Sequence, residues 1–204
     1  RFPREKDSLT HAVNRIKKAQ QHGARKMPRL WARANGINDE IAVKTARFII
    51  DVAVLYNADV IVFEHLDLKG RKRGSKKQRL HLWKARRVQS IVTDQAHRLG
   101  MRVSHVNAWN TSRLAFDGSG RVLRGRQSEK TGGSYSVCEF QNGKVYNCDL
   151  NATYNIGARY FIRTLLKSLP ATERLAVEAK VPSCAKRSTC TLSTLTSLYA
   201  VLAA

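Results

Sequence analysis

Apolar side chains recur at helical spacing in three long stretches of the chain. The first stretch runs from Asp39 to about Tyr56, with Asn38 or Asp39 as its N-cap and its apolar side chains three or four positions apart. The second and third run from about Leu82 to Leu99, ended by Gly100, and from Asp149 to about Ser168, stopped before Pro170. Each stretch therefore predicts an amphipathic helix.

The N-terminal residues predict a shorter helix and a link. A helix from about Ser8 to Gln21, with Ser8 as N-cap, is followed by a basic segment that contains Gly23, Pro28 and Gly36. We therefore expect irregular structure between this helix and Asn38.

Two short apolar runs predict strands on either side of the second helix. The run from Val60 to Glu64 is apolar and mostly β-branched up to its final Glu, which is typical of a strand buried on both faces. The run from Arg102 to Asn107 predicts a second strand. The order strand, helix, strand predicts that the two strands are parallel.

The chain changes character after Asn110. Glycine, serine and polar residues dominate up to Asn147, and the segment FQNGK at 140–144 predicts a hairpin turn between residues 135–138 and 145–146. We expect a small β insert at residues 111–146. The tail beyond Pro170 has Ser/Thr-rich stretches and predicts one short terminal helix.

The charge of the chain points to a polyanionic partner. Its 204 residues include 37 Lys and Arg but only 15 Asp and Glu, a formal net charge of +22, while 43% hydrophobic residues provide for a core. Nucleic acid is the first candidate partner and an anionic membrane surface the second. We expect no membrane association by a spanning helix, because no apolar stretch approaches the roughly 20 residues required. Four cysteines and no secretory signal predict reduced thiols in the cytoplasm.

Two acids stand at structured positions of this basic chain. Glu64 ends an apolar strand, where an uncompensated carboxylate is costly, and Asp149 opens a helix. Phosphodiester hydrolysis with two metal ions requires carboxylates that converge from separate elements. The structural alternative is that Asp149 caps its helix and that Glu64 pairs with an arginine.

Three motifs resemble those of TnpB-like (OrfB) transposon-encoded nucleases and type V CRISPR effectors, in the same order. The segment VFEHLDL at 62–68 resembles their second RuvC motif, an apolar strand that ends in Glu-Asp/Asn-Leu. The segment NCDLNATYNI at 147–156 resembles the third motif, Asn-Ala-Asp-x-Asn-Ala-Ala-x-Asn-Ile. Between them, GMRVSHVN at 100–107 with Thr111-Ser112 is similar to Gly-Ile-x-Val-x-x-Val-Asn-Pro…Thr-Ser.

The resemblance implies an α/β fold with an incomplete RNase H-like (RuvC) core. Glu64 and Asp149 would be catalytic ligands of Mg²⁺ or Mn²⁺, while Asn151 and Asn155 would support the helix. The family also uses an Asp in a Gly-Ile-Asp-x-Gly motif, which this sequence lacks. We therefore expect the sequence to begin after that strand and the piece to be inactive alone. The predicted segments are a basic helical and linker segment (1–38), the first part of the core (39–110), the insert (111–146), the closing helix (147–170) and the tail (171–204).

The insert resembles a degenerate zinc ribbon. The family places two C-x-x-C knuckles here, but residues 111–118 contain no cysteine, and Gln141 stands where the partner of Cys138 is expected. Structural zinc normally takes four Cys or His ligands, so we expect an insert without zinc.

A basic run supplies candidate nucleic-acid contacts. Its cations can neutralise phosphates without reading sequence, which suffices where a guide RNA pairs with the target DNA. Trp109 either stacks on a base or packs in the core. The predicted contacts are Lys69, Arg71, Lys72, Arg73, Lys76, Lys77 and Arg79 of this run and Arg113 of the insert.

The resemblance implies an RNA-guided DNA endonuclease, with guide RNA and target DNA as partners. It also implies a prokaryotic or phage-encoded protein that is cytoplasmic and associated with the nucleoid. Two alternatives stay open. One is a cleavage-dead, RNA-guided DNA-binding regulator or targeting factor, and the other is a basic nucleic-acid scaffold that needs neither guide nor metal.

Overall fold

The structure, a computed structural model, describes residues 3–66 and 84–203. The described chain divides into two compact units. One contains residues 3–61 and 84–103, and the other contains residues 62–66 and 104–203. The elements form the mixed α/β fold that the sequence predicts, while the finer assignment to a RuvC-like core stays a prediction.

Three helices form most of the first unit. Helix α1 (Pro3–Gln21) packs against α2 (Pro28–Leu55), and α2 also packs against α3 (Ala85–Arg98). The contact between α1 and α2 buries Ala12, Ile16 and Ala34. Small side chains at this contact allow the two helices to approach closely.

Both N-terminal helices begin earlier than the sequence predicts. Helix α2 begins at Pro28, so the expected irregular link is wrong, and Asn38 is a buried side chain inside the helix instead of its cap. Proline lacks an amide hydrogen that the first turn leaves unpaired anyway, which suits it to this position. Similarly, α1 begins at Pro3, so Ser8 is not its N-cap.

The two predicted strands are hydrogen-bonded neighbours. Strand β1 (Val60–His65) and strand β2 (Arg102–Asn107) begin side by side, because the Arg102 amide donates to the Asp59 carbonyl at 2.9 Å. Strand β1 is half-buried along most of its length, so the prediction of a strand buried on both faces is wrong. A two-stranded sheet covers less of each strand than a large one does.

The insert is a three-stranded antiparallel sheet. Its strands are β3 (Leu123–Arg124), β4 (Val137–Glu139) and β5 (Val145–Asn147), in the order β3-β4-β5. The predicted hairpin is confirmed as the β4–β5 pair, in which Cys138 lies opposite Tyr146. Two short 3₁₀ turns, Gly125–Gln127 and Glu129–Thr131, connect β3 to β4.

Three helices complete the second unit. Helix α4 (Cys148–Ser168) follows the insert and matches the predicted closing helix, and α5 (Ala171–Lys180) and α6 (Leu192–Leu202) follow it. A 3₁₀ turn, Pro182–Cys184, lies between α5 and α6. The predicted short terminal helix is confirmed as α6, and α5 is a further helix that the sequence-based prediction lacks. The apolar side chains of α5 and α6 form a core with α4, built from Ala158, Ile162, Val177, Val181, Leu195 and Leu198.

No helix in the described ranges is both long and apolar enough to cross a membrane.

Candidate active site

Glu64 lies near the end of β1 and is half-buried. The hydroxyl of Thr111, a buried residue that follows β2, donates a hydrogen bond to a carboxylate oxygen of Glu64. The same hydroxyl lies 3.1 Å from the Ala108 carbonyl oxygen. Because a hydroxyl donates one proton, the bond to the anionic carboxylate is the stronger use of it and orients the Glu64 side chain.

Two fully buried asparagines of α4 hold the loop that contains Thr111. The side-chain amide of Asn155 donates to the carbonyl oxygens of Thr111 and Leu114, at 2.9 and 2.8 Å. Asn151 donates to the Leu114 carbonyl and accepts from the Phe116 amide, both at 2.9 Å. The two amides therefore bind a loop outside their own helix, and the expectation that they support the helix is wrong.

Arg159 lies one turn further along α4, on the same helix face as Asn151 and Asn155. Its guanidinium, in a side chain that is only 5% exposed, donates to the carbonyl oxygens of four residues. Burial lowers the pKa of the guanidinium, while electrostatic interaction with Cys190 and Glu64 acts in the opposite direction. Arg159 thus ties the end of β2 to the segment before α6 and lies close enough to Glu64 to stabilise its negative charge. The four carbonyls are those of Asn107 (2.6 Å), Trp109 (2.8 Å), Ser188 (3.1 Å) and Cys190 (3.1 Å).

Asp149 lies in the first turn of α4 and is exposed. The side chain of Asn147 caps this helix by accepting from the amides of Asp149 and Leu150, at 2.9 and 3.0 Å. The alternative in which Asp149 is the cap is therefore wrong. Within the described ranges the Asp149 carboxylate forms no hydrogen bond or ion pair.

The polar face of α4 connects the elements that carry the two predicted ligands. Glu64 contacts Thr111, Thr111 contacts Asn155, and Asn155 lies six residues, or about 9 Å along the helix axis, from Asp149. The described residues contain no group of three His, Cys, Asp or Glu side chains that could hold a metal ion. Two carboxylates still fit Mg²⁺, which commonly takes one or two protein carboxylates together with water and substrate phosphates.

The predicted nucleic-acid contacts are only partly within the described chain. Arg113 is exposed in the insert, where a phosphate can reach it. The seven cations predicted between Lys69 and Arg79 lie outside the described residues. Trp109 is 68% exposed, so the alternative that it packs in the core is wrong, and base stacking by Trp109 stays a prediction.

An apolar core occupies the insert at the position of the expected ribbon. Cys138 and Cys148 are buried beside each other, together with Ala115, Val122 and Phe140. Burial, followed by the neighbouring Cys148 thiol, raises the pKa of Cys138 to about 12, so Cys138 is a neutral thiol at physiological pH.

Two side-chain hydrogen bonds join the two knuckle regions of the insert. The amide of Gln141 donates to the Arg121 carbonyl at 2.6 Å, and Asn142 donates to the Asp117 carboxylate at 3.0 Å. Gln141, the residue in place of an expected cysteine, thus makes a cross-link that needs no metal.

The roles of Thr111 and Arg159 are not part of the sequence-based prediction. The signal for Arg159 is its spacing, since residues 151, 155 and 159 are four apart and share one face of a helix. Thr111 belongs to the Thr111-Ser112 pair that resembles the family's Thr-Ser, but its contact with Glu64 depends on the pairing of β1 with β2.

Comparison with known proteins shows a similarity that covers part of the chain. No protein-family model matches the chain. The chain is 30% identical over 137 residues to a TnpB-like protein of Aquifex aeolicus (strain VF5), which covers 62% of this chain and 42% of that protein. The chain thus spans less than half the length of this relative. The similarity relates the chain to TnpB-like proteins.

Proposed function

We propose that the protein is an RNA-guided DNA endonuclease whose RuvC-like site uses Glu64 and Asp149. The observation that carries the proposal is the hydrogen-bond path from Glu64 through Thr111 to Asn155, because it links the end of β1 to the helix that begins with Asp149. The similarity to a TnpB-like protein supports the same assignment.

Each side chain of the path has a distinct role in this proposal. Mg²⁺ or Mn²⁺, when bound, activates water and stabilises the leaving 3′ oxygen. Glu64 and Asp149 offer anionic oxygen ligands, and hydrolysis with two metal ions calls for a further carboxylate. Thr111 donates to one oxygen of Glu64 and thereby fixes the direction in which the other oxygen points. The buried guanidinium of Arg159 interacts electrostatically with the Glu64 carboxylate and holds the end of β2 beside it.

The net charge of +22 supports a nucleic-acid substrate. In the proposal, cations contact phosphates and leave sequence recognition to pairing between guide RNA and target DNA. Arg113 is the predicted contact within the described chain, and its exposure in the insert allows that role.

One observation favours a second candidate function. Because the described residues contain no group of three possible metal ligands, a cleavage-dead, RNA-guided DNA-binding protein is the alternative. It would keep the positive surface and the asparagine-held loop but would bind DNA without hydrolysing it.

Guide-dependent binding and cleavage, measured side by side, distinguish the two functions. The protein, in its full natural length, is purified with its RNA and incubated with matched and mismatched DNA in Mg²⁺ and in EDTA. Cleavage of matched DNA only with Mg²⁺ supports the endonuclease. Matched binding without cleavage supports the cleavage-dead alternative, and binding indifferent to both guide and Mg²⁺ contradicts both and indicates a basic scaffold.

A further inference from the structure

A cationic cavity of about 600 Å³ lies in the second unit, is built largely by α4 and the tail, and shares Arg159 with the candidate site. Its lining includes many more bases than acids, since Glu178 is the one acid among the described lining residues. The cationic and imidazole side chains that matter for the argument are Arg163, Lys167, Arg174, Arg187, His65 and His105.

The positive charges of this cavity are poorly neutralised. Lys167 and Arg187 are exposed and form no ion pair with any described residue. Arg174 does have a partner, but its Nε lies 3.9 Å from a carboxylate oxygen of Glu178 and both side chains are partly exposed. An exposed pair at that distance is weak, so the cavity keeps a surplus of positive charge.

Arg163 is fixed in place at the wall of the cavity. One terminal nitrogen of its guanidinium donates to the His105 carbonyl at 2.8 Å, and the other donates to the Ser104 hydroxyl. A guanidinium carries five N–H donors, so donors remain for a ligand after these two bonds. A fixed arginine loses little further entropy on binding a phosphate.

The volume of the cavity and its apolar wall restrict the class of ligand that it can bind. Val106, Ile162 and Leu166 give the cavity an apolar wall on which a sugar or base can lie. A volume of about 600 Å³ is within the range of small-molecule sites and too small to admit a duplex. Lys167 and Arg187 of the lining are exposed to solvent, so a strand bound in the cavity can continue beyond it.

We propose that this cavity binds the phosphate backbone of a single-stranded nucleic-acid segment. The proposal gives the tail a function, because Arg174 and Arg187 belong to residues 171–204. It rests on the proposed function only for the identity of the polyanion as nucleic acid, and it requires neither metal nor an intact pair of carboxylates.

Matched charge reversals test the proposal. The cavity variant is Lys167→Glu with Arg187→Glu, and the control is Arg126→Glu with Lys180→Glu, which changes net charge equally at exposed positions that do not line the cavity. Binding of fluorescein-labelled 8-nucleotide single strands is measured by anisotropy in EDTA between 50 and 200 mM salt. Circular dichroism and thermal melting establish that both variants are folded.

The cavity variant is expected to lose at least about tenfold in affinity and to reduce the salt slope by about 1.4, since each phosphate contact on a single strand contributes about 0.7. The control is expected to stay within about threefold of the wild type, because distant exposed charges are screened by salt. Equal losses in both variants overturn the proposal in favour of diffuse attraction, and no loss in either overturns it outright.

Two further experiments ask whether the cavity binds a strand or a free phosphate compound, and whether strand binding is independent of DNA cleavage. Inorganic phosphate and a mononucleotide are used as competitors, and competition by either at the concentration of the strand would assign the cavity to free nucleotides instead. Glu64→Gln is expected to retain wild-type strand binding in EDTA. Loss of cleavage by Glu64→Gln with retained strand binding supports both proposals. Wild-type cleavage by Glu64→Gln contradicts the proposed nuclease site, whereas loss of strand binding by Glu64→Gln contradicts a cavity that binds independently of the carboxylates.

Discussion

Thr111 contacts Glu64 through its hydroxyl, while its carbonyl oxygen accepts from the buried amide of Asn155 at 2.9 Å. The relationship means that the position of Glu64 depends on a side chain of α4, a helix that starts 84 residues later in the chain. Loss of the amide would therefore affect both stability and the geometry of the candidate site.

Asn155→Ala is expected to destabilise the protein by about 2–4 kcal/mol. The substitution removes two donated hydrogen bonds and one accepted from the Leu192 amide at 3.3 Å, and it leaves buried backbone groups without partners. Urea unfolding followed by circular dichroism measures the change. Asn142→Ala, at an exposed position with one hydrogen bond, is the control and should cost less than about 1 kcal/mol.

Arg159→Lys is expected to cost about 2–4 kcal/mol although it keeps the charge. An ammonium cannot reach the four carbonyls that the planar guanidinium bonds, and the pocket is buried. The free energy of unfolding in urea tests this, with the exposed Arg126→Lys as control. Equal stability of the two variants would contradict the anchoring role of Arg159.

The parts of the fold that local patterns specify were predictable from sequence. Strand β2 and the end of α4 match their predictions, because an apolar run and a proline stop are local signals. The start of α2 was not predictable, since Gly36 and the many cations of that stretch suggest a link, whereas Ala34 is buried against α1 in the fold. Tertiary contacts commonly override weak local propensity in this way.

In the candidate site, too, residues in local motifs were predictable and residues that act through long-range contacts were not. Glu64 and Asp149 were identified by position and motif, whereas Thr111 and Arg159 act through contacts 47 and 52 residues away in sequence. The tail was underestimated because its helices bury their apolar sides against α4, a partner that periodicity within the tail does not reveal.

Metal chelation is expected to leave the melting temperature unchanged. The insert is joined by the Gln141 and Asn142 hydrogen bonds and by a core that includes Phe140, without a four-ligand cluster in the described residues. The test is thermal melting with and without 1,10-phenanthroline, together with elemental analysis for zinc. Stoichiometric zinc, or a lower melting temperature after chelation, would contradict this account of the insert.

Glu139 is expected to make part of the stability sensitive to acid. Hydrogen bonds from Lys130 (2.6 Å) and Ser128 lower the pKa of its carboxyl below the ordinary value of 4.5. A lowered folded-state pKa means that the stabilisation is present above pH 4.5 and is lost as the pH falls below it.

The unfolding midpoint in urea should therefore fall on acidification below pH 4.5, and Glu139→Gln should reduce this fall. Glu129→Gln, an exposed acid in the same insert, is the control. A pH profile that is identical in the wild type and Glu139→Gln would show that the Lys130 contact does not stabilise the folded state.

The rate of single-stranded DNA cleavage in Mg²⁺, measured with the protein in its full natural length, tests the proposed roles of Glu64 and Asp149 most directly. Glu64→Gln and Asp149→Asn keep the size of each side chain and remove its charge, and the exposed Glu129→Gln and Asp94→Asn are the matched controls. The account predicts that each site variant loses at least about a hundredfold in rate while the controls cleave normally. Cleavage at the wild-type rate by Glu64→Gln or Asp149→Asn would contradict the assignment of the site.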